Sequence, residues 1–139
     1  MLKKVCVGFD GSDNAYRAVD FALNLHKMCG AAMEIHVVSA VTPPEVPNVD
    51  YEAIAGSMMQ HYEELLKDLR GKATGRGIAI KTATVTGHPA DQILRYVKEN
   101  NCDMVIMGQR GMSGVEEFLL GSVSRRVARH APCTVTIVK

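Results

Sequence analysis

Met104-Val105-Ile106-Met107-Gly108-Gln109-Arg110-Gly111, then nine residues to Gly121-Ser122-Val123-Ser124, carries a strand, a turn and a helix start in one run. Met104–Met107 is apolar without a break, the pattern of a strand covered on both faces. Glycines follow at once, and they let backbone amides come close to a ligand because no Cβ stands in the way. A helical stretch from about Ser122 to His130 comes next. The free N–H groups and partial positive charge of a helix start suit a phosphate. The hydroxyls of Ser122 and Ser124 are candidate donors to phosphate oxygens, and Arg110 is a candidate charge-assisted contact. Glycines at this spacing before Ser or Thr arise by chance in roughly one chain of this length in a hundred.

The rest of the chain repeats the alternation. Val5–Phe9 is a short, almost continuous apolar run that ends at Asp10-Gly11-Ser12, a buried strand and a turn. Ser12 is a candidate N-cap for a helix with Ala15, Ala18, Val19, Ala22 and Leu25 on its apolar side, stopping near Gly30. Met33–Val41 reads as a second strand. Thr42–Asp50 contains Pro43, Pro44 and Pro47 and is predicted to be irregular. Ile54, Met58, Tyr62, Leu65 and Leu69 mark one face of a long helix, which Gly71, Gly75 and Gly77 are expected to end. Ile78–Val85 is a third strand. Pro89 opens a helix with Ile93, Leu94 and Val97 inward, and Asn100-Asn101 closes it. Thr134–Val138 is the last strand. This order predicts parallel pairing with right-handed crossovers, hence a three-layer α/β sandwich. In such a sheet ligands bind beyond the carboxyl ends of the strands, where the strand order reverses. That directs attention to Asp10, to Val38–Val41 and to Gly108 onward.

At 139 residues the chain is expected to be one domain spanning 1–139. A net charge of +1 provides no global field to hold a polyanion, which argues against a nucleic-acid binder. Lys3 and Lys4 precede an apolar run that stops at Asp10, too short for a signal peptide, and no stretch approaches a membrane span. The expected location is cytoplasmic, with no membrane partner.

Asp10 has two readings. A carboxylate at the end of a buried strand can accept from a ribose hydroxyl or an adenine amine, but Asp-Gly-Ser is also ordinary turn chemistry. Cys6, Cys29, Cys102 and Cys133 form no CxxC pair and have no histidine at zinc spacing, so they are expected to be buried free thiols. The five histidines are scattered. Glu116-Glu117 reads as a solvated loop pair, and Arg125, Arg126 and Arg129 as a solvated helix face. No G-x-x-x-x-G-K-[ST], no G-x-G-x-x-G after the first strand and no G-x-S-x-G occurs. No serine or cysteine has an evident histidine partner, so no catalytic residue is assigned.

The run from Val5 to Ser12, Ile35-His36-Val37-Val38, Gly87 with Ile93, and Asp103 to Gly108 together resemble the single-domain, UspA-like universal stress proteins over essentially the whole length. Their nucleotide signature, G-x2-G-x9-G-[ST], is met by Gly108, Gly111, Gly121 and Ser122. The resemblance implies an adenine nucleotide alpha hydrolase-like fold with strand order 3-2-1-4-5. It implies that Gly8, Asp10, Val37, Met107 and Gly108 lie at adenine and ribose, Gly8 being a departure from the proline or alanine of some members. It implies that Arg110, Gly111, Gly121, Ser122, Val123 and Ser124 lie at the phosphates, with Mg2+ bridging them. A homodimer paired through Thr134–Val138 is also implied.

The expected function is therefore an ATP-binding stress-response regulator, with AMP or ADP as alternative ligands, at most slow hydrolysis and a protein client the sequence does not name. Thr42–Asp50 or Met112–Leu120 is expected to order when nucleotide binds. Two alternatives stand beside this: a genuine ATPase or phosphotransfer enzyme, and a dimeric interaction module indifferent to nucleotide.

Overall fold

The computed structural model describes residues 2–109 and 120–139. The chain runs β1 (Lys4–Gly8), α1 (Asp13–Cys29), β2 (Glu34–Val41), α2 (Tyr51–Gly75), β3 (Ile80–Thr86), α3 (Pro89–Glu99), β4 (Met104–Gly108), α4 (Ser122–His130) and β5 (Thr134–Val138). The strands form one parallel sheet in the order β3-β2-β1-β4-β5, with helices on both sides. This is the expected three-layer sandwich and the expected strand order.

Side chains alternate across the pleat, so each inner strand feeds two cores. Val5, Val7, Ile35, Val37 and Ile106 pack with the inward stripes of α1 and α2. Cys6, Val38, Val105 and Met107 pack with Ala90, Ile93, Val97 and Val127 of α3 and α4. Burial on both faces is why these strands read as unbroken apolar runs.

The helix ends follow local chemistry. Ser12 is the N-cap of α1, and its Oγ accepts from the Ala15 amide at 3.2 Å. Asp50 caps α2 through the Ala53 amide at 3.2 Å. Pro89 opens α3, where its missing N–H costs nothing. Two sequence expectations are corrected. Gly71 lies inside α2, because Leu66, Leu69 and Ala73 bury a stripe that carries the helix past it to its end at Gly75. On α1 the fully inward leucine is Leu23, with Leu25 only partly covered.

Lysines 3 and 4 are tied to the start of β4. Asp103 Oδ2 accepts from both backbone amides, at 2.8 and 2.9 Å, and these hold its carboxyl below the usual carboxylate range. The clamp fixes β4 against β1 at the sheet edge opposite the turns described next.

Candidate nucleotide site

Beyond the carboxyl ends of β1 and β4 the strand order reverses, since β2 leads away on one side of β1 and β4 on the other. A crevice at such a point is the ordinary ligand position of an open parallel sheet. Three segments build it: the β1–α1 turn, the end of β4, and the start of α4.

The β1–α1 turn is held from both sides. The Phe9 amide donates to Val38 O at 2.9 Å, and Ser39 Oγ donates to Phe9 O at 2.8 Å. Ser39 is fully buried, so β2 fixes both backbone groups of the residue before Asp10. Asp10 Oδ1 then accepts from the Ser12 amide at 2.9 Å, closing the turn around Gly11, whose φ of 83° lies in the left-handed region. The turn reading of Asp10 is therefore present in the structure. From α2, Tyr62 Oη donates to Asp10 O at 3.3 Å. Burial, and then the charge of Asp10, push the Tyr62 hydroxyl pKa up, so it stays a donor at neutral pH.

At the end of β4, Gly108 sits against α1 with no room for a side chain. A Cβ there would lie 2.7 Å from Asn14 Cβ and 2.9 Å from its carbonyl carbon. Gly8 has a parallel role, since a Cβ on it would overlap Met107 Sδ and come within 2.9 Å of Ile93 Cδ1. The missing side chain of Gly8 therefore leaves room for Met107 and Ile93. The two glycines let β1, β4 and α1 converge.

The start of α4 is tethered to β4. The Gly121 amide donates to Gln109 O at 2.8 Å, and Gln109 N to Val138 O at 2.8 Å. Gly121 is the N-cap and offers no side chain to the first-turn amides. The N–H groups of Ser122, Val123 and Ser124 therefore have no intrahelical partner and face the crevice end of the helix. Ser124 behaves differently from its sequence expectation. Its hydroxyl is buried and donates to Gly108 O at 2.6 Å, so its single proton is spent on the fold. What Ser124 has left for a phosphate is its backbone amide.

Val37 lies in mid-strand, between Val7 and Thr82, with its side chain fully buried among the α1 and α2 contacts. The end of β2 nearest the crevice is Ser39–Val41. Arg110 and Gly111 lie outside the described residues, as do Glu116-Glu117 and all of Met112–Leu120 except Leu120. Among the described residues no group of three or more His, Cys, Asp or Glu side chains could hold a metal ion. No helix of the described residues is long and apolar enough to cross a membrane.

The model of the universal stress protein family matches residues 1–139. Universal stress protein YxiE of Bacillus subtilis is 32% identical, with all of both chains covered. The fold superposes on UspA of Lactobacillus plantarum with a TM-score of 0.89 at 21% identity, covering 99% of this chain and 98% of that one. A universal stress protein solved in complex with cAMP is 28% identical, with a TM-score of 0.75 over 99% of this chain and 97% of that one.

Proposed function

The chain belongs to the universal stress protein family, and we propose that it is an adenine-nucleotide-binding member, a cytoplasmic stress-response switch whose ligand is ATP. The observation that carries this is the uncapped start of α4, set by Gly121 and Ser124 against the end of β4 at the strand reversal. The 28% identical relative in complex with cAMP supports the ligand class. The intact glycine signature supports the choice of a phosphate-bearing ligand.

In this reading the phosphates lie against the amides of Ser122, Val123 and Ser124, with the Ser122 hydroxyl, Arg110 and the Gly111 backbone adding contacts. The ribose and base lie over Gly8, Met107 and Gly108. Asp10 accepts from a ribose hydroxyl, and the β2 backbone near Val37 borders the base. Mg2+ arrives with the phosphates. Asp10 is tied to the Ser12 amide, which suits it to orient a hydroxyl, so turnover is slow at most. Thr42–Asp50, joined to the sheet by Thr42 Oγ1 donating to Gly87 O at 2.6 Å, is the segment whose order reports the ligand. A second copy pairs along Thr134–Val138, where β5 has β4 on one side only.

Two measurements test this reading. Heat denaturation of the purified protein should release adenine nucleotide, and calorimetry of the emptied protein should show about one MgATP per chain, lost in Gly121→Val. A protein that releases nothing and ignores added ATP would reduce the crevice to a structural device and favour the interaction-module alternative. Turnover well above background that disappears in Asp10→Ala would favour an enzyme.

A further inference from the structure

A second concave surface lies where β2 leads into α2. The chain from Pro44 to Val49 and the first turn of α2 enclose a cleft of about 410 Å³. Val46, Pro47, Val49, Tyr51 and Ile54 line it, and Glu45 is its one charged lining residue. None of these residues is among those assigned a nucleotide contact. Val46 is 47% exposed, Val49 46% and Tyr51 48%. They are three of the five large apolar side chains left exposed among the described residues, so bare apolar surface is concentrated here. Such a patch, rimmed by polar groups, is the mark of an interaction site.

The cleft exists because α2 is longer than the sheet it covers. Thr86, the last residue of β3, meets Met59 through its Oγ1 and the Met59 Sδ at 3.8 Å. Residues Tyr51–Met58 therefore run on past the end of β3, about 12 Å of helix. No residue of α2 before Leu66 is buried. Tyr51, Ile54 and Met58 stand at i, i+3 and i+7, so an apolar stripe is left half exposed. The opposite wall is already set. Pro44 and Pro47 fix their own φ, and Asn48 turns the chain with a φ of 62°. Thr42 Oγ1 donates to Gly87 O ahead of the cleft, and Asp50 caps α2 behind it. A preformed surface of this kind lowers the ordering cost of binding.

Charge selects the occupant. From Thr42 to Leu66 the chain carries Glu45, Asp50, Glu52, Glu63 and Glu64 and no Lys or Arg. None of the five forms an ion pair among the described residues. A near-neutral protein thus has an acidic region around its barest apolar surface. Nucleic acid and anionic lipid are repelled there. A two-fold pairing of this face with itself would set the acids of one copy against those of the other. A partner that is both basic and apolar is favoured.

We propose that the cleft between Pro44–Val49 and the first turns of α2 is a docking site for a basic amphipathic helix of a partner protein. Apolar side chains of that helix enter between Val46, Val49, Tyr51 and Ile54, alongside the stripe of α2. Its lysines and arginines face Glu45 and Glu52. This is helix-in-groove recognition, with the apolar anchors supplying affinity and the acids supplying orientation and choice of partner.

The probe is a fluorescein-labelled synthetic helix with leucine on one face and lysine on the other, titrated with the full chain and followed by anisotropy. The expected result is saturable binding of one peptide per chain, weakened by salt. Val46→Asp should weaken it about tenfold or more, and so should Glu45→Lys. Both positions are exposed, so the fold tolerates either change. The same peptide with glutamate in place of lysine should not bind. Amide NMR shifts should centre on Val46, Val49 and Ile54. No saturable binding, equal binding to both variants, or equal binding of the glutamate peptide overturns the proposal. A dimer of the free protein that Val46→Asp dissociates also overturns it, since a second copy would then cover the cleft.

Discussion

Removing the Ser124 hydroxyl separates two accounts of this residue. Ser124→Ala deletes the O–H that donates to Gly108 O at 2.6 Å from a buried position. The carbonyl loses that donor in a place water does not readily reach. Losing one partner of a buried hydrogen bond costs about 1–3 kcal/mol. For a domain of this size each kcal/mol lowers Tm by roughly 3–5 °C, so the emptied protein should melt about 3–15 °C lower. The amide of residue 124 survives the substitution, and with it the proposed phosphate contact. ATP affinity should therefore fall by less than about tenfold, which corresponds to 1.4 kcal/mol. Thermal melts of the emptied protein and calorimetry with MgATP measure the two effects separately. An unchanged melt together with a hundredfold loss of affinity would mean that the hydroxyl serves the ligand, and the reasoning from its bond to Gly108 would be wrong.

Further predictions follow from the same contacts. Gly108→Ala puts a methyl 2.7 Å from Asn14 Cβ and against its backbone, which helix α1 accommodates only by moving off β4. A stability loss of about 1–3 kcal/mol in urea melts is expected, and none would show that α1 yields freely. Ser39→Ala removes the donor to Phe9 O and should destabilise by about 1–3 kcal/mol, with weaker ATP binding because the Asp10 turn loosens. His36 has its pKa lowered by burial, partly offset by Glu34, so the unfolded chain takes the proton first. Its contribution is complete above the unfolded value of about 6.5 and is lost as pH falls below it, at no more than about 1.4 kcal/mol per pH unit. Urea melts from pH 8 to pH 5 should show that slope, flattened in His36→Gln.

Most of the architecture was legible because two-sided burial leaves a plain mark. The apolar runs around Val5–Val7 and Met104–Met107 read as inner strands, and the limits of α4 and β5 match their sequence reading. Local caps at Ser12 and Pro89 were equally clear, since their partners lie within one turn. Gly71 misled because a glycine costs a helix only about 1 kcal/mol, less than the stripe of Leu66, Leu69 and Ala73 recovers. At the candidate site, the glycine spacing and Asp10 pointed to the sheet edge where the strand order reverses. Ser39 and Tyr62 carried no signal, because their partners Phe9 and Asp10 lie far away in the chain. Ser124 was singled out for its hydroxyl, yet no spacing tells which way a hydroxyl points, and this one points at Gly108. The exposed Cys29 departs from the expected burial of the thiols.

The central claim is that the crevice beyond β1 and β4 takes an adenine nucleotide with its phosphates on the start of α4. Amide NMR spectra of the emptied protein titrated with MgATP test it most directly. The account predicts saturable shifts at Ser122, Val123 and Ser124, at Gly108, and at Asp10 through Ser12, while amides at the opposite sheet edge, such as Lys4 and Asp103, stay in place. Saturation that leaves Ser122–Ser124 unmoved, or no shifts at all, would contradict it.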